Sequence, residues 1–277
     1  MFEWADSKVK SNTHMLIPDT QAKEGVPDDH LRWVGQYIVE KKPDVIVHIG
    51  DHWDMPSLSS YDRGTKHIEG RRYEKDIKAG NDAFALLNEP MRAYNRSRKA
   101  KYRYEPRKVF CIGNHEERIA RATNESAILD GLMSYNDLDT HGWEVHDFLK
   151  PVWIDGVAYA HYFANPMSGR PYAGANIELR LKNIGHTFTM GHQQTLGYAI
   201  RFVGGKSQHG LVAGACYLHN EDYKGYQGNA HWRGVVMCHQ VHDGSYDPMF
   251  VSLEYLCLRY EGMTLEKFLQ KKYPMGV

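Results

Sequence analysis

The sequence predicts an α/β sandwich in which two β-sheets are flanked by helices. In the first half of the chain, apolar runs of strand length alternate with segments of helical periodicity, which is typical of parallel strands connected by helices. After residue 150, short apolar runs are separated by Gly, Asn and Asp, which indicates further strands joined by turns. With 277 residues, the chain is long enough for a single domain, 1–277, with a large core.

The first elements form a predicted β-α-β unit. Residues 13–18 and 44–49 are apolar runs, and the segment 27–41 between them starts with helix-initiating residues and continues with apolar residues at helical spacing. Parallel strands covered by helices place ligands at the carboxyl ends of the strands. Asp19 and Asp51 follow these two strands, so we expect both carboxylates at that edge of the sheet.

A helical insertion is predicted at about 55–107, between the second and third strands. Within it, residues 73–98 have the apolar spacing of a helix, which Pro90 should bend or break. The third strand, 109–112, should be followed by another helix over roughly 115–133.

The second half of the chain is predicted to be rich in strands. Apolar runs of strand length lie at 151–162, 186–191, 197–203, 211–217, 232–241 and 248–257. Their turn-rich connections predict a second sheet that is mostly antiparallel. The segment 263–277 has the spacing of a short amphipathic helix, which would pack on the body of the protein or act as a docking element.

The composition argues against several classes of protein. Lys+Arg and Asp+Glu number 34 each, so the net charge gives no global attraction to nucleic acid or to membranes. No apolar run approaches the roughly 18 residues of a membrane span, and residues 1–10 lack the apolar core of a secretory signal. The four cysteines are widely spaced, which favours buried, reduced thiols. We therefore expect a cytoplasmic protein with no membrane partner.

Five predicted strands end in residues with oxygen or imidazole side chains. These residues are Asp19, Gln21, Asp51, Asn114, His161, His192 and Gln194. Carboxylate, amide and imidazole groups are the donors of divalent-metal sites, and two metal ions need about this many donors. The sequence therefore predicts a site for two divalent cations.

The same residues resemble, in order, the signature of the calcineurin-like metallophosphoesterase superfamily, which is D-x-H, G-D-x-x-D, G-N-H-[DE], a later single His and G-H-x-H. The matching segments here are 19–21, 50–54, 113–116, His161 and 191–194, which together span about two thirds of the chain. The resemblance implies a four-layer sandwich with two mixed β-sheets. It also implies hydrolysis of phosphoester bonds by a water molecule that two metal ions activate.

The resemblance assigns a ligand set to each metal ion. Asp51 would bridge both ions; Asp19, Gln21 and Gln194 would complete the first position, and Asn114, His161 and His192 the second. For His161, a hydrogen-bonded core histidine is the alternative.

The chain departs from the family at two ligands of the first position. The family has histidine where this chain has Gln21 and Gln194. Amide oxygens are harder and weaker donors than imidazole, so we expect the first position to prefer Mn²⁺ or Mg²⁺ to Zn²⁺ and to retain its ion less firmly. Mn²⁺ is the expected ion overall, with Mg²⁺, Zn²⁺ and iron as alternatives. Either glutamine could instead lie near the metal without binding it.

The resemblance also implies a general acid. In the family, the histidine at the position of His115 protonates the leaving oxygen, and a carboxylate at the position of Asp54 orients it. Four residues that follow the second strand end are expected near the substrate: His52, Arg63, Arg71 and Arg72. Ordinary surface charge is the alternative for the three arginines.

The motifs point to different substrates. Pro56 and Ser57 after the second aspartate are similar to the nuclease branch, whereas Gly-Asn-His-Glu is the form that phosphoprotein phosphatases use. The segment 92–108 contains eight basic residues and three tyrosines, which suits nucleic acid, but it enters the third strand from the end opposite the predicted metal site. A solvated helix end is the alternative for that segment.

We interpret the chain as a phosphodiesterase or nuclease that acts on DNA or RNA. One alternative is a phosphomonoesterase for a nucleotide or a phosphoprotein. Another is a binding protein on the same fold whose turnover is weak because its first metal position is depleted. The sequence has no coiled coil for a partner protein, and it does not indicate an oligomeric state.

Overall fold

A six-stranded sheet forms one half of the protein in the computed structural model, which describes residues 12–60, 64–221 and 224–274. Its strands, in chain order, are β1 (Asn12–Ile17), β2 (Val45–His48), β3 (Arg107–Cys111), β4 (Glu144–His146), β10 (Gly234–His242) and β11 (Ser245–Ser252). The spatial order is β11-β10-β1-β2-β3-β4. Strands β1 to β4 are parallel, β10 pairs with β1 in antiparallel orientation, and β11 pairs with β10 in antiparallel orientation.

A five-stranded sheet forms the other half. Its strands are β5 (Val152–Ile154), β6 (Val157–Tyr159), β7 (Phe188–Met190), β8 (Leu196–Val203) and β9 (Lys206–Ala213), in the order β5-β6-β7-β9-β8. Two of its pairings are parallel and two are antiparallel, so the expectation of a mostly antiparallel second sheet is wrong. The last two apolar runs are also not part of it, because β10 and β11 pair with the first sheet.

Helices cover the outer faces of both sheets. The helices are α1 (Asp29–Lys41), α2 (Tyr73–Arg96), α3 (Glu117–Glu125), α4 (Ile177–Ile184), α5 (Gly225–Asn229), α6 (Leu253–Glu261) and α7 (Leu265–Lys272). Helix α7 packs through buried Phe268, whose ring lies 5.0 Å from that of Trp33, so the amphipathic segment at 263–277 packs on the body of the protein within its described part.

Alternate residues of β1 belong to two different cores, because successive side chains of a strand point to opposite faces. Met15 and Ile17 lie in a cluster with Leu31 of α1, whereas Leu16 lies between the sheets in a cluster with Leu211 of β9. On the far face of the second sheet, Phe188 and Val212 contact Leu181 of α4. The layers are therefore helix, sheet, sheet and helix, which confirms the predicted four-layer α/β sandwich with two mixed sheets.

Helix α2 continues through Pro90, so of the two expected effects, a bend or a break, the break does not occur. The proline lies where α1 crosses α2 at Gly35. A Cβ at Gly35 would meet the Leu87 carbonyl oxygen at 2.4 Å and Pro90 Cδ at 2.9 Å. Pro90 has no backbone N–H, so one hydrogen bond of α2 is missing there. Packing against α1 at this close crossing compensates for that loss and keeps the helix continuous.

Two other element boundaries differ from the sequence prediction. Helix α3 ends at Glu125 rather than near 133, and Ile128 and Leu132 beyond it are 83% and 70% exposed. Without a surface to pack against, that stretch has no tertiary support for a helix. The apolar run 248–257 is a strand only to Ser252, whose side chain accepts a hydrogen bond from the Tyr255 N–H and so caps α6.

All four cysteines are buried and free, as the sequence predicted. Among the described residues, no helix combines the length and the apolar character needed to cross a membrane.

His30 of α1 gives a testable dependence of stability on pH. It is 1% exposed, its Nε2–H donates to the Cys216 carbonyl at 2.8 Å, and burial lowers its pKa from 6.5 to about 3. Below pH 6.5 the unfolded chain therefore binds a proton that the folded protein does not bind. That proton lowers the free energy of unfolding by about 1.4 kcal/mol per pH unit down to about pH 4.

The variant His30→Gln keeps an N–H donor but cannot titrate. Urea unfolding at pH 7, 6 and 5 should show the stability advantage of the wild type over this variant shrinking as the pH falls. A constant difference across this range would contradict the assignment of a neutral buried His30.

Candidate metal centre

The carboxyl ends of five strands meet at one edge of the sandwich. Asp19, Asp51 and Asn114 lie in the loops after β1, β2 and β3, which are neighbouring parallel strands of the first sheet. His161 and His192 lie after β6 and β7, which are neighbours in the second sheet. The site therefore lies between the two sheets, at the edge that the sequence predicted.

Four of the expected ligands bring their donor atoms together. Nε2 of His161 lies 3.2 Å from Oδ2 of Asp51 and 2.9 Å from Oδ1 of Asn114, and the same Asn114 oxygen lies 2.6 Å from Nδ1 of His192. Donor atoms bound to one cation at about 2.1 Å are separated by about 3 Å. The chemistry and spacing of these four side chains therefore fit one divalent cation.

The charges around this cluster are strongly coupled. Burial alone would lower the pKa of His161, but the negative charges of Asp51 and Asp19 raise it to about 9. Burial opposes the ionisation of Asp51, yet His115 and His161 hold the pKa of its carboxyl far below the usual value. Burial and the neighbouring His161 lower the pKa of His192 to about 4. A buried carboxylate that stays ionised favours a positive charge at this point.

The first metal position has donors without partners. One oxygen of Asp19, Oδ1, accepts the backbone N–H of His192 at 3.1 Å, whereas Oδ2 is buried and has no hydrogen-bond partner. Both amide atoms of Gln21 are likewise buried and unpartnered. An unsatisfied buried polar group costs about 1–3 kcal/mol. A cation bound by Asp19 Oδ2 and Gln21 Oε1 would remove that penalty for both oxygens, so these residues fit a second ion.

Gln194 is engaged differently from Gln21. Its Oε1 accepts hydrogen bonds from the Tyr217 hydroxyl, at 2.9 Å, and from the Lys224 ammonium group. The negative charge of Asp19 also acts on Lys224. A lysine therefore lies beside the first metal position, which the sequence analysis did not anticipate. Its positive charge opposes the binding of a cation there.

Glu116 holds two of the metal-binding loops together. Its Oε2 accepts the backbone N–H groups of Asp51 and Gly113, at 3.0 and 2.8 Å, and its Oε1 accepts those of His52 and Trp53, at 2.6 and 2.9 Å. Burial and the charge of Asp51 raise the pKa of its carboxyl to about 7. Sequence reasoning gave Glu116 no role, although its place in Gly-Asn-His-Glu was a signal.

The backbone of the centre is unusual at the ligand positions. In the loops of the centre, five non-glycine residues have positive φ angles between 42° and 68°: Gln21, Asp51, Met55, His192 and Gln194. The intervening glycines permit close approach. A Cβ at Gly113 would lie 2.2 Å from Oδ1 of Asp51, and one at Gly191 would lie 2.3 Å from Oδ1 of Asp19.

His115 and Asp54 form a hydrogen-bonded pair next to the cluster. Nδ1–H of His115 donates to Oδ1 of Asp54 at 2.7 Å, while Nε2 lies 3.8 Å from Oδ2 of Asp51. The other Asp54 oxygen lies 3.0 Å from the ammonium group of Lys23. Burial alone would lower the pKa of His115, but the negative charges of Asp51 and Asp54 raise it.

Arg118 lies beside the same histidine. Its Nη2 is 3.2 Å from Nε2 of His115, and its Nη1 donates to the carbonyl oxygens of Asp54 and Met55, at 2.8 and 3.1 Å. Sequence reasoning missed Arg118. A signal was available, because residues three apart in a helical turn lie on the same face, and the sequence predicted a helix from about residue 115.

The residues expected near the substrate have different surroundings. His52 does not border the cleft: it has no exposed surface, its Nδ1 is hydrogen-bonded to Thr20, and its Nε2–H donates to the Gly80 carbonyl. Arg71 donates to the Pro56 carbonyl at 3.2 Å, and Arg72 to the carbonyl of Arg71. The expectation for Arg63 falls outside the described residues.

Comparisons with known proteins were made for sequence and structure. No family model matches the chain. Two solved structures cover 87% of this chain and 99% of their own, each with 10% sequence identity and a TM-score of 0.32. They are wild-type Vps29 complexed with Zn²⁺ from Entamoeba histolytica, and a conserved uncharacterized protein, a predicted phosphoesterase, from Streptococcus pneumoniae TIGR4. At this TM-score the likeness is too weak to assign a fold family.

A relative from a bacteriophage is more informative. The Gene 54 protein of Mycobacterium phage L5 is 30% identical to this chain over 202 residues, which are 66% of this chain and 72% of the phage protein. This similarity extends over most of both proteins, so it is not limited to a shared local motif. The chain belongs to the family of the Gene 54 protein of Mycobacterium phage L5.

Proposed function

We propose that this protein is a dinuclear, metal-dependent phosphoesterase of the calcineurin-like metallophosphoesterase type. The observation that carries the proposal is the convergence of Asp51, Asn114, His161 and His192 next to the His115–Asp54 pair. The ordered motifs of the sequence support the same activity. Asp19 and Gln21, with their unpartnered buried oxygens, would hold the other ion.

The two kinds of group in the site have complementary roles in phosphoester hydrolysis. When bound, divalent cations supply a Lewis acid for the phosphoryl oxygens and an activated water. Asp51 would be the residue shared between the two positions, since a carboxylate has an oxygen for each ion. Glu116 keeps the loops of Asp51 and Gly113 at a fixed separation through its four hydrogen bonds.

His115 is suited to donate a proton to the leaving oxygen. The hydrogen bond from Nδ1–H to Asp54 fixes the ring, so that Nε2 faces the metal centre. When His115 is protonated, Nε2–H and the Nη2 donor of Arg118 face one another and need an acceptor between them. A phosphoryl or leaving-group oxygen of the substrate provides that acceptor.

The surroundings of the cleft favour a nucleotide-containing diester. The ring of Tyr162 lies 4.9 Å from that of His192, and Arg121 donates to the carbonyl of Asn114 at 2.7 Å, so an aromatic group and two arginines lie next to the ligands. Aromatic and guanidinium groups bind bases and phosphates. We therefore propose a phosphodiesterase acting on DNA or RNA, with Mn²⁺ as the metal.

Two other functions have specific support. The Gly-Asn-His-Glu segment favours a phosphomonoesterase for a nucleotide or phosphoprotein. The Lys224 ammonium beside Gln194 favours a binding protein with a depleted first metal position, since it competes with a cation there.

Hydrolysis of two chromogenic esters separates these functions. With Mn²⁺ added, bis-p-nitrophenyl phosphate should be cleaved faster than p-nitrophenyl phosphate, and labelled single- and double-stranded DNA and RNA should then identify the polymer. Faster cleavage of the monoester would favour the phosphomonoesterase. If folded, Mn²⁺-loaded protein cleaves neither ester nor nucleic acid, the enzyme proposal is wrong and the binding protein is favoured.

Gln194→His tests the first metal position. Imidazole is a softer and stronger donor than an amide, so the variant should bind the first ion at least about tenfold more tightly and shift its preference from Mn²⁺ towards Zn²⁺. Calorimetric titration of metal-free protein with each ion measures both effects. The neighbouring variant Lys224→Gln is the matched comparison, because it removes the competing charge without adding a ligand. If Gln194→His leaves the metal preference unchanged, Gln194 does not bind the metal.

A further inference from the structure

A second cavity lies at the opposite end of the first sheet from the metal centre. It has a volume of about 670 Å³ and lies between α2, the segment that leads into β3 and the loop that leads into β4. The metal ligands follow the carboxyl ends of these strands, whereas the cavity is at their amino ends. Five residues of β3 separate the two places, a distance of roughly 15 Å. A cavity of this size suits a small organic ligand.

The walls of this cavity carry unmatched positive charge. Arg92, Arg96, Arg103 and Lys108 line it, and Arg96 pairs with Glu89. Within the described part of the chain, neither the Lys108 ammonium nor the Arg103 guanidinium forms a hydrogen bond or an ion pair. Lys108 has only the ring of Trp143, whose centre is 5.8 Å away. Burial and then the positive charge of Arg92 lower the pKa of Lys108, and the negative charge of Glu105 opposes this effect only in part.

The acidic residues of the cavity do not neutralise these cations. Two carboxylates, Glu105 and Asp139, line the cavity against four cations, of which, among the described residues, only Arg96 has an acidic partner outside the cavity, Glu89. An excess of like charges held close together favours the binding of an anion. Arginine and lysine together are the usual ligands of phosphate oxygens.

The floor of the cavity is apolar and its wall is held in place. The cavity's apolar lining residues include Ala85, Pro106 and the nearly buried Phe84 and Met91 of α2, which we call the floor. The segment before β3 is fixed to α2 by Asn95, whose amide donates to the carbonyl of Tyr104 and accepts its backbone N–H, at 2.8 and 2.9 Å. The cavity is therefore preformed, with an apolar floor for a flat ring and cations at its rim.

We propose that this cavity binds a nucleotide, with its phosphate on Lys108 and Arg103 and its base on the apolar floor. The nucleotide could be free or part of a nucleic acid strand, since both present the same phosphate and base. The site is independent of phosphoester hydrolysis at the metal centre, because it shares no residue with that centre.

Calorimetric titration of the full-length protein in EDTA tests this site without metal chemistry. The probes are AMP, inorganic phosphate and a ten-residue single-stranded oligodeoxynucleotide. AMP or the oligonucleotide should bind more tightly than phosphate, and Lys108→Gln should weaken that binding by at least about tenfold, as expected for a lost charge-assisted contact. Tight binding of AMP identifies a free nucleotide as the ligand, and binding of the oligonucleotide alone identifies a strand.

Lys101→Gln is the matched control. Lys101 belongs to the same basic segment, but it is exposed, lies over the ring of Tyr102 and does not line the cavity. Equal weakening by both variants would overturn the proposal, because it would indicate general charge attraction. So would inorganic phosphate binding as tightly as AMP, or no binding of AMP and the oligonucleotide at millimolar concentration. Because EDTA removes metal activity, these results do not depend on whether the enzyme proposal is right.

Discussion

Replacing Asp51 by alanine or asparagine should abolish hydrolysis and weaken the binding of both metal ions. The Asp51 carboxylate is 1% exposed, with Oδ2 3.2 Å from His161 and Oδ1 2.9 Å from the backbone N–H of His115. Asparagine keeps one of the two side-chain oxygens but removes the negative charge that the two metal positions would share. We expect activity to fall by at least about a thousandfold and metal affinity by more than about tenfold.

Asp51→Asn is the sharper of the two changes because asparagine tolerates the positive φ of 51° at this position. Asp243 provides a control, since it is an exposed aspartate with a φ of 46° in the turn between β10 and β11. Asp243→Asn should retain metal stoichiometry, activity and stability. If Asp51→Asn binds two Mn²⁺ ions with the affinity of the wild type, Asp51 is not the shared ligand.

Replacing His115 by alanine should leave both metal ions bound and remove most of the rate. The donor atoms of the metal cluster belong to other residues, and the His115 ring approaches the cluster only at 3.8 Å, through Asp51. A general acid contributes about 10²- to 10⁴-fold to the rate. The loss should be larger for esters with a basic leaving group than for p-nitrophenyl esters, because p-nitrophenolate departs without protonation.

Metal stoichiometry, measured by calorimetry, separates this role from a structural one. His115→Gln, which is closer in shape, should show the same dependence on the leaving group as His115→Ala. Asp54→Asn should show a weaker form of it, since it alters the orientation of the ring but leaves the proton donor. Loss of metal from His115→Ala would contradict the assigned role.

The strand ends of the site could be predicted from the sequence because each ligand directly follows an apolar run. Parallel strands then bring Asp19, Asp51 and Asn114 to one edge without any knowledge of the rest of the fold. Contacts between distant loops could not be predicted in the same way. Glu116 binds backbone groups 63 to 65 residues away, and no periodic pattern indicates which amides a buried carboxylate will meet.

Residues in loops were the weakest part of the sequence prediction for a related reason. A strand has a period of two, which assigns each side chain to a face, but His52 follows β2 in irregular structure where no period applies. Its burial against Thr20 and Gly80 depends on the position of α2. Likewise, Lys224 reaches Gln194 from a segment 30 residues further along the chain. The partners of β10 and β11 depend on pairings across the whole chain.

The left-handed backbone at the five ligand-loop residues has an evolutionary consequence. Each such non-glycine residue destabilises the fold by about 1 kcal/mol relative to glycine. Glycine at Gln21, whose amide atoms have no partner, would relieve that strain, but it would also delete a donor oxygen. A laboratory selection for heat resistance alone should therefore enrich glycine at this position, whereas a screen that also demands turnover should reject it.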